Sequence, residues 1–360
     1  MKILYLCNHF NTGGITSYIL TLAEAMKRKG HDVFVASGPG ELINQLAAQG
    51  IQHIPVSTDT KAEISFNVLF SFFKLAPWIK QNDIDIIHAN TRVTQVLSCL
   101  LSRKTKKPFI STCHGFFKNR ITRRLFPCWG NKVIAISDAV KEHLIKDFHL
   151  NEQDIVIIHN GIDTEKFKPQ EKADSHLKNS PVIGIIARLS EVKGHIYLIE
   201  AMKSVLKEIP QARLLIAGEG KIKNSLLNLC RKLGIEESIF FIPNIRDTRE
   251  VISEIDVFVL PSLHEGLGLS LMEAMAMEKA VIGSNVGGIK ALIQHEENGL
   301  LVEPKNIGQL SRAIIKLLKD EEKRIYLGRN ARNFICANFS LKEMTNNTEK
   351  LYLGCLSKRN

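Results

Sequence analysis

The sequence contains no closely spaced pair of cysteines. Its seven cysteines are scattered over 360 residues, and no two of them form a C-x-x-C pair. Disulfide frameworks and structural zinc sites depend on such spacing, so this pattern indicates reduced thiols in a cytosolic protein. His, Cys, Asp and Glu show no metal-ligand spacing elsewhere in the chain either. We therefore expect no metal and no cofactor.

Long apolar runs are also missing. Residues 3–7 are apolar, but five residues are too few for a signal peptide, and we expect none. Residues 66–79 come nearest to a membrane span, yet Lys74 and Pro77 interrupt them. A span requires about 20 apolar residues. The sequence thus predicts a cytoplasmic protein without a membrane-spanning helix.

Acidic residues are absent from residues 86–137, within a chain of net charge +11. A field of one sign attracts an anionic partner. No nucleic-acid module signature is present, so an anionic lipid surface or a phosphorylated acceptor fits better than nucleic acid. The ten basic residues of this window are Arg92, Arg103, Lys104, Lys106, Lys107, Lys118, Arg120, Arg123, Arg124 and Lys132.

The predicted elements follow the order of an α/β protein with two domains. A length of 360 residues favours two domains of ordinary size. Buried strands alternate with amphipathic helices in both halves, which is typical of parallel sheets. Residues 169–179 are polar and weakly periodic, as in a linker. We expect two Rossmann-like domains at residues 1–165 and 180–340, followed by a terminal helix at 341–360.

The pattern at residues 257–276 organises the second half. An apolar run ending at Leu260 predicts a buried strand, and apolar residues at helical spacing from Leu269 predict a helix. Anions bind where a helix begins at the carboxyl edge of a parallel sheet. Glu265 in the intervening loop and Glu273 in the helix can therefore face one ligand. The alternative is a solvated loop acid and an exposed helix acid.

Two cations lie in another loop between a strand and a helix. Arg188 and Lys193 are five residues apart, so both can converge on one diphosphate, the guanidinium as a fork and the ammonium as a point charge. The alternative is a pair of surface cations.

Two loops of the first half can also contact a ligand. Gly13 and Gly14 open the first predicted helix, where glycines let a ligand approach the amides. A tight turn explains them equally well, and they form no G-x-G-x-x-G fingerprint. His114 follows a predicted strand and precedes a glycine. A lone histidine in such a place is more often a hydrogen-bonded structural residue.

Taken together, these motifs resemble those of the family 4 glycosyltransferases of GT-B fold, over nearly the whole chain. Glu265 and Glu273 match the E-x7-E region, with Leu267 where an aromatic is common. Residues 187–194 match G-R-L-x-x-x-K-G, with Ala187 in place of the first glycine. Residues 160–169 match the N-G-[VI]-D…F…P segment at the domain junction, which includes Asn160 and Asp163.

This resemblance implies roles for the matching positions. His114 and Glu265 would be catalytic, beside the transferred sugar, and Glu273 would contact the ribose. The donor diphosphate would be bound by Arg188, Lys193, Gly14, Gly266, Leu267, Gly268 and Leu269. The ribose and base would also meet Gly218, Pro243 and Asn244.

The resemblance further implies a retaining, metal-independent hexosyl- or N-acetylhexosaminyl-transferase. Its two parallel-sheet domains would face a cleft, the first binding the acceptor and the second the nucleotide-sugar, and the last helix would cross back to the first domain. UDP is favoured as the donor nucleotide by family frequency. The acceptor would be a glycan or a lipid-linked molecule of polysaccharide, lipopolysaccharide or glycolipid synthesis. The alternatives are an epimerase of the same fold and a non-catalytic partner subunit that binds nucleotide-sugars.

Two further expectations concern metal and membrane. Asp83 and Asp85 look like the D-x-D metal motif of other glycosyltransferases, but they open a strand, opposite the edge where ligands bind, so we reject that assignment. Phe66, Leu69, Phe70 and Phe73 share one face of a predicted helix. With the basic window, they predict a protein that binds peripherally to the inner face of the cytoplasmic membrane. An ordinary core helix is the alternative.

Overall fold

The computed structural model describes residues 1–60, 62–63, 65–117, 123, 126–172, 180–243 and 247–357. The chain forms two compact units. Unit 1 comprises Met1–Gly161 and Leu341–Asn360, and unit 2 comprises Ile162–Ser340.

Unit 1 is a parallel α/β unit. Its described strands are β1 (Lys2–Leu6), β2 (Asp32–Ser37), β3 (Gln52–Pro55), β4 (Ile86–Ala89), β5 (Phe109–Cys113), β6 (Lys132–Ala135) and β7 (Ile155–Ile157). Its described helices before the linker are α1 (Gly14–Arg28), α2 (Ile43–Ala48), α3 (Phe66–Gln81), α4 (Arg92–Thr105) and α5 (Asp138–Phe148). The strands pair in the order β3-β2-β1-β4-β5-β6-β7, and every pair is parallel. The order therefore reverses between β1 and β4.

Helices cover both faces of this sheet. Its strands carry apolar side chains on both sides, which must be buried. Residues Ile3 and Tyr5 of β1 pack in one cluster with α1, whereas Leu4 and Leu6 pack in another with α3 and α4. Alternate side chains of a strand point to opposite faces, so one apolar run supplies both layers.

Unit 2 repeats the plan. Its described strands are β8 (Val182–Ile186), β9 (Arg213–Ala217), β10 (Ile239–Ile242), β11 (Val257–Leu260), β12 (Ala280–Ser284) and β13 (Leu300–Val302). Its described helices are α6 (His195–Glu208), α7 (Lys223–Leu233), α8 (Thr248–Glu254), α9 (Leu269–Ala276), α10 (Ile289–Leu292), α11 (Ile307–Lys319) and α12 (Glu321–Asn338). The strands pair in the order β10-β9-β8-β11-β12-β13, all parallel. Here the order reverses between β8 and β11.

The last helix, α13 (Leu341–Ser357), returns to unit 1 and packs against α1. The Glu349 carboxylate binds Lys29 and lies 2.7 Å from His31 Nε2. The hydroxyl of Tyr352 donates to the hydroxyl of Tyr5 in β1 over 3.1 Å. The expectation that the terminal helix crosses back to the first half of the chain is thereby confirmed.

Two local features of the helices concern Ser137 and Pro77. Ser137 caps α5, since its hydroxyl accepts from the Val140 amide at 3.3 Å. Pro77 does not end α3, which continues to Gln81. In the described ranges, no helix combines the length and apolarity that a membrane span needs.

Candidate active site

The candidate site of unit 2 lies at the carboxyl ends of β8 and β11. These strands are hydrogen-bonded neighbours, and the strand order reverses between them. The loop after β8 carries Arg188 and Lys193, and the loop after β11 carries Glu265. Ligands of open α/β sheets bind at such a reversal, because the two loops diverge there and leave a crevice.

The two loops are joined by an ion pair. Lys193 Nζ lies 2.5 Å from Glu265 Oε2, and both side chains are largely buried, with 23% and 11% of their surface exposed. The Ser262 hydroxyl donates to the same carboxylate oxygen over 3.3 Å. The Leu263 amide donates to the Val192 carbonyl over 2.7 Å. Two of the predicted site residues are thus in direct contact.

Arg188 differs from Lys193. It is exposed, and its guanidinium makes no ion pair or hydrogen bond with any residue that the structure describes. It remains available to an anion at the same strand end.

Glycines allow these loops to pack closely. Gly194 has φ 72°, and a Cβ there would lie 1.9 Å from the Pro261 carbonyl oxygen. A Cβ on Gly288 would lie 2.1 Å from the Gly266 carbonyl oxygen. Any side chain at either position would force backbone atoms apart, so these glycines are required by packing.

The start of α9 faces this loop region without a side-chain cap. Its N-cap, Gly268, has φ 96°, and Leu269 is its first residue. Leu267 and Gly266, which precede it, are buried. The first amide groups of a helix lack intrahelical acceptors and carry partial positive charge, so this start can bind an anion.

Glu273 lies within α9 and is partly buried. Burial raises the pKa of its carboxyl to about 7, although a hydrogen bond with Thr248 opposes the shift. Near neutral pH it can therefore donate as well as accept a hydrogen bond, which suits a pair of hydroxyl groups.

The remaining predicted contacts of unit 2 lie at the neighbouring strand ends. Gly218 follows β9 with φ 136°, and a Cβ there would lie 2.3 Å from the Ala187 carbonyl oxygen. Its amide donates to the Ile242 carbonyl over 3.0 Å. Pro243 is exposed just after β10, and Asn244 lies outside the described residues.

The glycine loop of unit 1 is open. Gly13 and Gly14 are exposed, and a Cβ on Gly13 would meet nothing within 4 Å. Gly13 is the N-cap of α1 and has no side chain to cap it. Thr12 anchors the loop through its amide, 2.9 Å from Glu41 Oε1. Space is therefore free beside the start of α1, at the β1/β4 reversal.

His114 follows β5 at the same edge. Its Nε2 lies 3.1 Å from Asn90 Oδ1, and the Tyr18 ring meets it edge-on with centroids 4.7 Å apart. Burial lowers the pKa of His114 to about 3, so its imidazole is neutral at neutral pH. The predicted glycine loop and histidine are thus linked through Tyr18 of α1. Asn90 was not predicted, although a polar residue directly after an apolar strand could have indicated it.

A second histidine, His88 in β4, was also missed. It is fully buried, with Nδ1 2.6 Å from the Tyr352 hydroxyl and Nε2 2.6 Å from Thr112 Oγ1. Burial lowers its pKa to about 3. Its place in an otherwise apolar strand was the available signal. This network joins the terminal helix to the strands that carry Asn90 and His114.

The predicted junction residues have local roles. Asp163 Oδ1 accepts from the amides of Glu165 at 3.1 Å and Lys166 at 3.0 Å, which closes a turn. Asn160 is buried in unit 1, where the neighbouring Gly161 amide contacts Met344 Sδ.

The basic window is less exposed than the sequence suggested. Arg92 is buried and its Nε lies 3.1 Å from Glu63, an acid outside the window. The Arg123 guanidinium is buried 4.1 Å from the centre of the Phe117 ring. Treating all ten cations as one surface field was wrong for these two. The exposed members are Arg103, Lys104 and Lys106, whereas Lys118, Arg120 and Arg124 lie outside the described residues.

Acidic and metal-ligating residues form no cluster of three or more within the described ranges. Asp85 Oδ2 instead accepts from the Lys2 amide over 2.8 Å, just before β4. Both acids of the D-x-D pattern precede that strand, at the amino edge of the sheet.

Comparison with known proteins assigns the family. The family model described as Glycosyltransferase Family 4 matches residues 12–166, and that described as Glycosyl transferases group 1 matches residues 167–334. The chain belongs to the family 4, group 1 glycosyltransferases. The interpretation of the sequence motifs as those of this family is confirmed.

The names of relatives of this glycosyltransferase specify different substrates. The Escherichia coli UDP-Gal:alpha-D-GlcNAc-diphosphoundecaprenol alpha-1,3-galactosyltransferase is 28% identical over 79% of this chain and 78% of its own. The Bacillus anthracis N-acetyl-alpha-D-glucosaminyl L-malate synthase is 26% identical over 93% of this chain and 92% of its own.

The fold is likewise shared with solved structures. Anabaena Alr3699/HepE in complex with UDP and glucose superposes with a TM-score of 0.88 at 22% identity, covering 98% of this chain and 100% of that one. This likeness shows the fold, two parallel-sheet Rossmann-like units of GT-B type, as the sequence predicted.

Proposed function

We propose that this glycosyltransferase moves a hexosyl or N-acetylhexosaminyl group from a nucleoside diphosphate sugar, with UDP as the preferred nucleotide. The observation that carries the proposal is the edge of unit 2 at β8 and β11. There Lys193, Arg188 and the uncapped start of α9 supply positive charge at one strand reversal. Such fixed positive charge stabilises a diphosphate leaving group, because negative charge develops on the diphosphate as its bond to the sugar breaks.

The proposed roles follow the family motif. Arg188, Lys193 and the amides of Gly266, Leu267, Gly268 and Leu269 would hold the diphosphate, together with Gly14 of unit 1. Glu273 would meet the ribose hydroxyls, to which a carboxyl with a pKa near 7 can both donate and accept. Gly218, Pro243 and Asn244 would border the ribose and base.

We further propose that His114 and Glu265 act beside the sugar and that the reaction retains the anomeric configuration. The contact of the Glu265 carboxylate with Lys193 supports this, since an ion-paired carboxylate is a weaker nucleophile. A same-face route through an oxocarbenium-like state needs no covalent intermediate. We also propose that no metal is needed, because the cations named above can neutralise the leaving group.

The proposed acceptor is a glycan or lipid-linked molecule of cell-surface polysaccharide or glycolipid synthesis. The Escherichia coli relative supports a lipid-linked acceptor, since its name specifies a diphosphoundecaprenol-linked sugar. Unit 1, with the open glycine loop and His114, would bind it.

Peripheral attachment to an anionic membrane is part of this proposal. On α3 the side chains of Phe66, Phe70 and Phe73 are 90%, 65% and 66% exposed, and Leu69 lies on the same face. The neighbouring α4 ends with the exposed cations Arg103 and Lys104. Aromatic side chains enter the headgroup region, and each nearby cation contributes about 1 kcal/mol at an anionic surface.

Donor screening tests the enzyme class. We expect UDP to raise the melting temperature more than GDP or ADP, since a ligand at 100 times its Kd stabilises by about 2.7 kcal/mol. Incubation of a UDP-sugar with acceptor should release UDP, and EDTA should leave the rate unchanged.

Other outcomes would favour the alternatives. Binding of the nucleotide-sugar without UDP release, whichever acceptor is supplied, would favour the partner subunit, and epimerisation of the sugar without transfer would favour the epimerase. A rate lost in EDTA and restored by Mg²⁺ or Mn²⁺ would refute metal independence.

Vesicle co-sedimentation tests the membrane contact. We expect pelleting with phosphatidylglycerol vesicles at low salt, less at high salt, and little with phosphatidylcholine. Phe70→Ser with Phe73→Ser should abolish pelleting, whereas Tyr326→Ser should not, because Tyr326 is an exposed aromatic of unit 2. Equal, negligible pelleting with both lipids would leave α3 as a surface helix without a membrane role.

A further inference from the structure

We propose that Asn90 is a positioning residue that holds His114 as the Nε2–H tautomer and leaves Nδ1 as a hydrogen-bond acceptor for a sugar hydroxyl. The inference rests on the proposed function only for the identity of that hydroxyl. The tautomer itself follows from the hydrogen bonds around Asn90.

The orientation of the Asn90 amide is determined by its neighbours. Its Nδ2 donates to the carbonyl oxygens of His88 at 3.2 Å and Leu6 at 3.5 Å, and the residue is buried. A flipped amide would place Oδ1 against these two acceptors, which repels it and leaves both without this donor. The carbonyl Oδ1 must therefore face His114, at 3.1 Å from Nε2.

A carbonyl oxygen can only accept, so Nε2 of His114 must carry the proton. Burial keeps the ring neutral, and a neutral imidazole then has an unprotonated Nδ1. Nδ1 makes no hydrogen bond with any residue in the described part of the chain. It can accept a hydrogen bond from a hydroxyl but has no hydrogen to donate to a phosphate.

The surroundings hold the ring in this arrangement. The Tyr18 ring packs edge-on against His114 at an interplanar angle of 73°. His88 and Tyr18 are titratable groups near the ring, and the buried Cys113 precedes it. Both nitrogens of His88 are occupied, by Tyr352 and Thr112, so His88 does not compete for the Asn90 amide. Asn90 is thus the polar group that sets the tautomer.

The decisive measurement is the nitrogen NMR spectrum of His114 in the full chain, labelled with ¹⁵N at histidine and assigned with His114→Gln. It needs no substrate, so its outcome does not depend on the proposed reaction. We expect a pyrrole-type resonance for Nε2 and a pyridine-type resonance for Nδ1 in the wild-type protein. The reverse assignment, with a protonated Nδ1, would overturn the proposal.

Variants then test whether Asn90 is the cause. Asn90→Ala should mix the two tautomers and lower kcat at least tenfold with a smaller change in KM. Asn90→Asp should keep Nε2 protonated and raise the pKa of His114, because a carboxylate stabilises the imidazolium. Thr112→Val, which removes a neighbouring partner of His88, should leave the His114 tautomer unchanged. If the Nε2–H tautomer persists alone in Asn90→Ala, Asn90 does not set the tautomer of His114. If Asn90→Ala fails to fold, an unchanged His114 pKa in Asn90→Asp would lead to the same conclusion.

Discussion

The two units place different chemistry at equivalent sheet edges. In unit 2 the edge is charged, with Lys193 paired to Glu265 and Arg188 exposed without a protein partner among the described residues. In unit 1 the group beside the open loop is uncharged: His114 contacts Asn90, whose amide donates to the His88 carbonyl. One fold thus supplies an electrostatic site and a hydrogen-bonding site. The difference suits a charged diphosphate on one unit and sugar hydroxyls on the other.

The glycines show the same division. Gly194, Gly218 and Gly288 at the unit 2 edge have backbone atoms where a Cβ would lie, whereas Gly13 at the unit 1 edge has open space there. A glycine loop in the sequence therefore has two meanings. At Gly194 and Gly288 it lets loops pack, and at Gly13 it leaves open space.

The largest expected effect on ligand binding concerns the charged edge. Arg188→Ala and Lys193→Ala should each weaken binding of the nucleoside diphosphate, because a charge-assisted contact contributes about 1.5–3 kcal/mol. Isothermal titration with UDP measures the loss, roughly tenfold or more for each variant. Lys203→Ala, an exposed cation on α6, is the matched control and should bind like the wild type. If the double variant binds and turns over normally, the diphosphate does not lie at this edge.

The largest expected effect on stability concerns glycine packing. Gly194→Ala should lower the free energy of unfolding by roughly 2–4 kcal/mol, since it adds a left-handed backbone penalty to an overlap with Pro261. Gly13→Ala should change stability by at most about 1 kcal/mol, because its site is open and its φ of 164° is extended. Urea unfolding compares the two. Equal destabilisation would contradict the division between packed and open glycines.

A smaller, pH-dependent effect is expected at Glu273. Because its folded-state pKa of about 7 exceeds the ordinary 4.5, the folded state retains a proton that the unfolded state has lost. Wild-type stability should therefore fall as pH rises from about 4.5 to about 7, by at most about 3 kcal/mol. Glu273→Gln should remove this dependence while weakening UDP binding.

Thermal melts at pH 5 and pH 8 test the stability, and titration with UDP tests the binding. Glu265→Gln is the companion variant, and it should reduce transfer more than UDP binding. Loss of UDP binding in Glu265→Gln would show that the roles of the two acids are wrongly assigned.

Much of this molecule could be predicted from the order of its residues. Apolar runs bounded by glycine and polar residues predict the strands, because a parallel strand is buried on both faces. The spacing from Arg188 to Lys193 and from Glu265 to Glu273 predicts the unit 2 edge, because both motifs lie within single loop-to-helix segments. Residues within one such segment stay close together in the folded protein, so their spacing can be interpreted directly.

What the tertiary structure decided is the pairing between distant segments. The contact of Lys193 with Glu265 joins two loops that are 72 residues apart. Asn90 and His114 meet only because β4 and β5 are neighbours in the sheet. The buried Arg92 is held by Glu63 and by the carbonyls of Phe126 and Pro127. Gly13 and Gly194 both open a helix in the sequence, yet Gly13 lies beside open space and Gly194 is closely packed. The burial of a side chain, its hydrogen-bond partner and the free space beside it depend on the strand order of the whole sheet. No single segment of the sequence encodes that order.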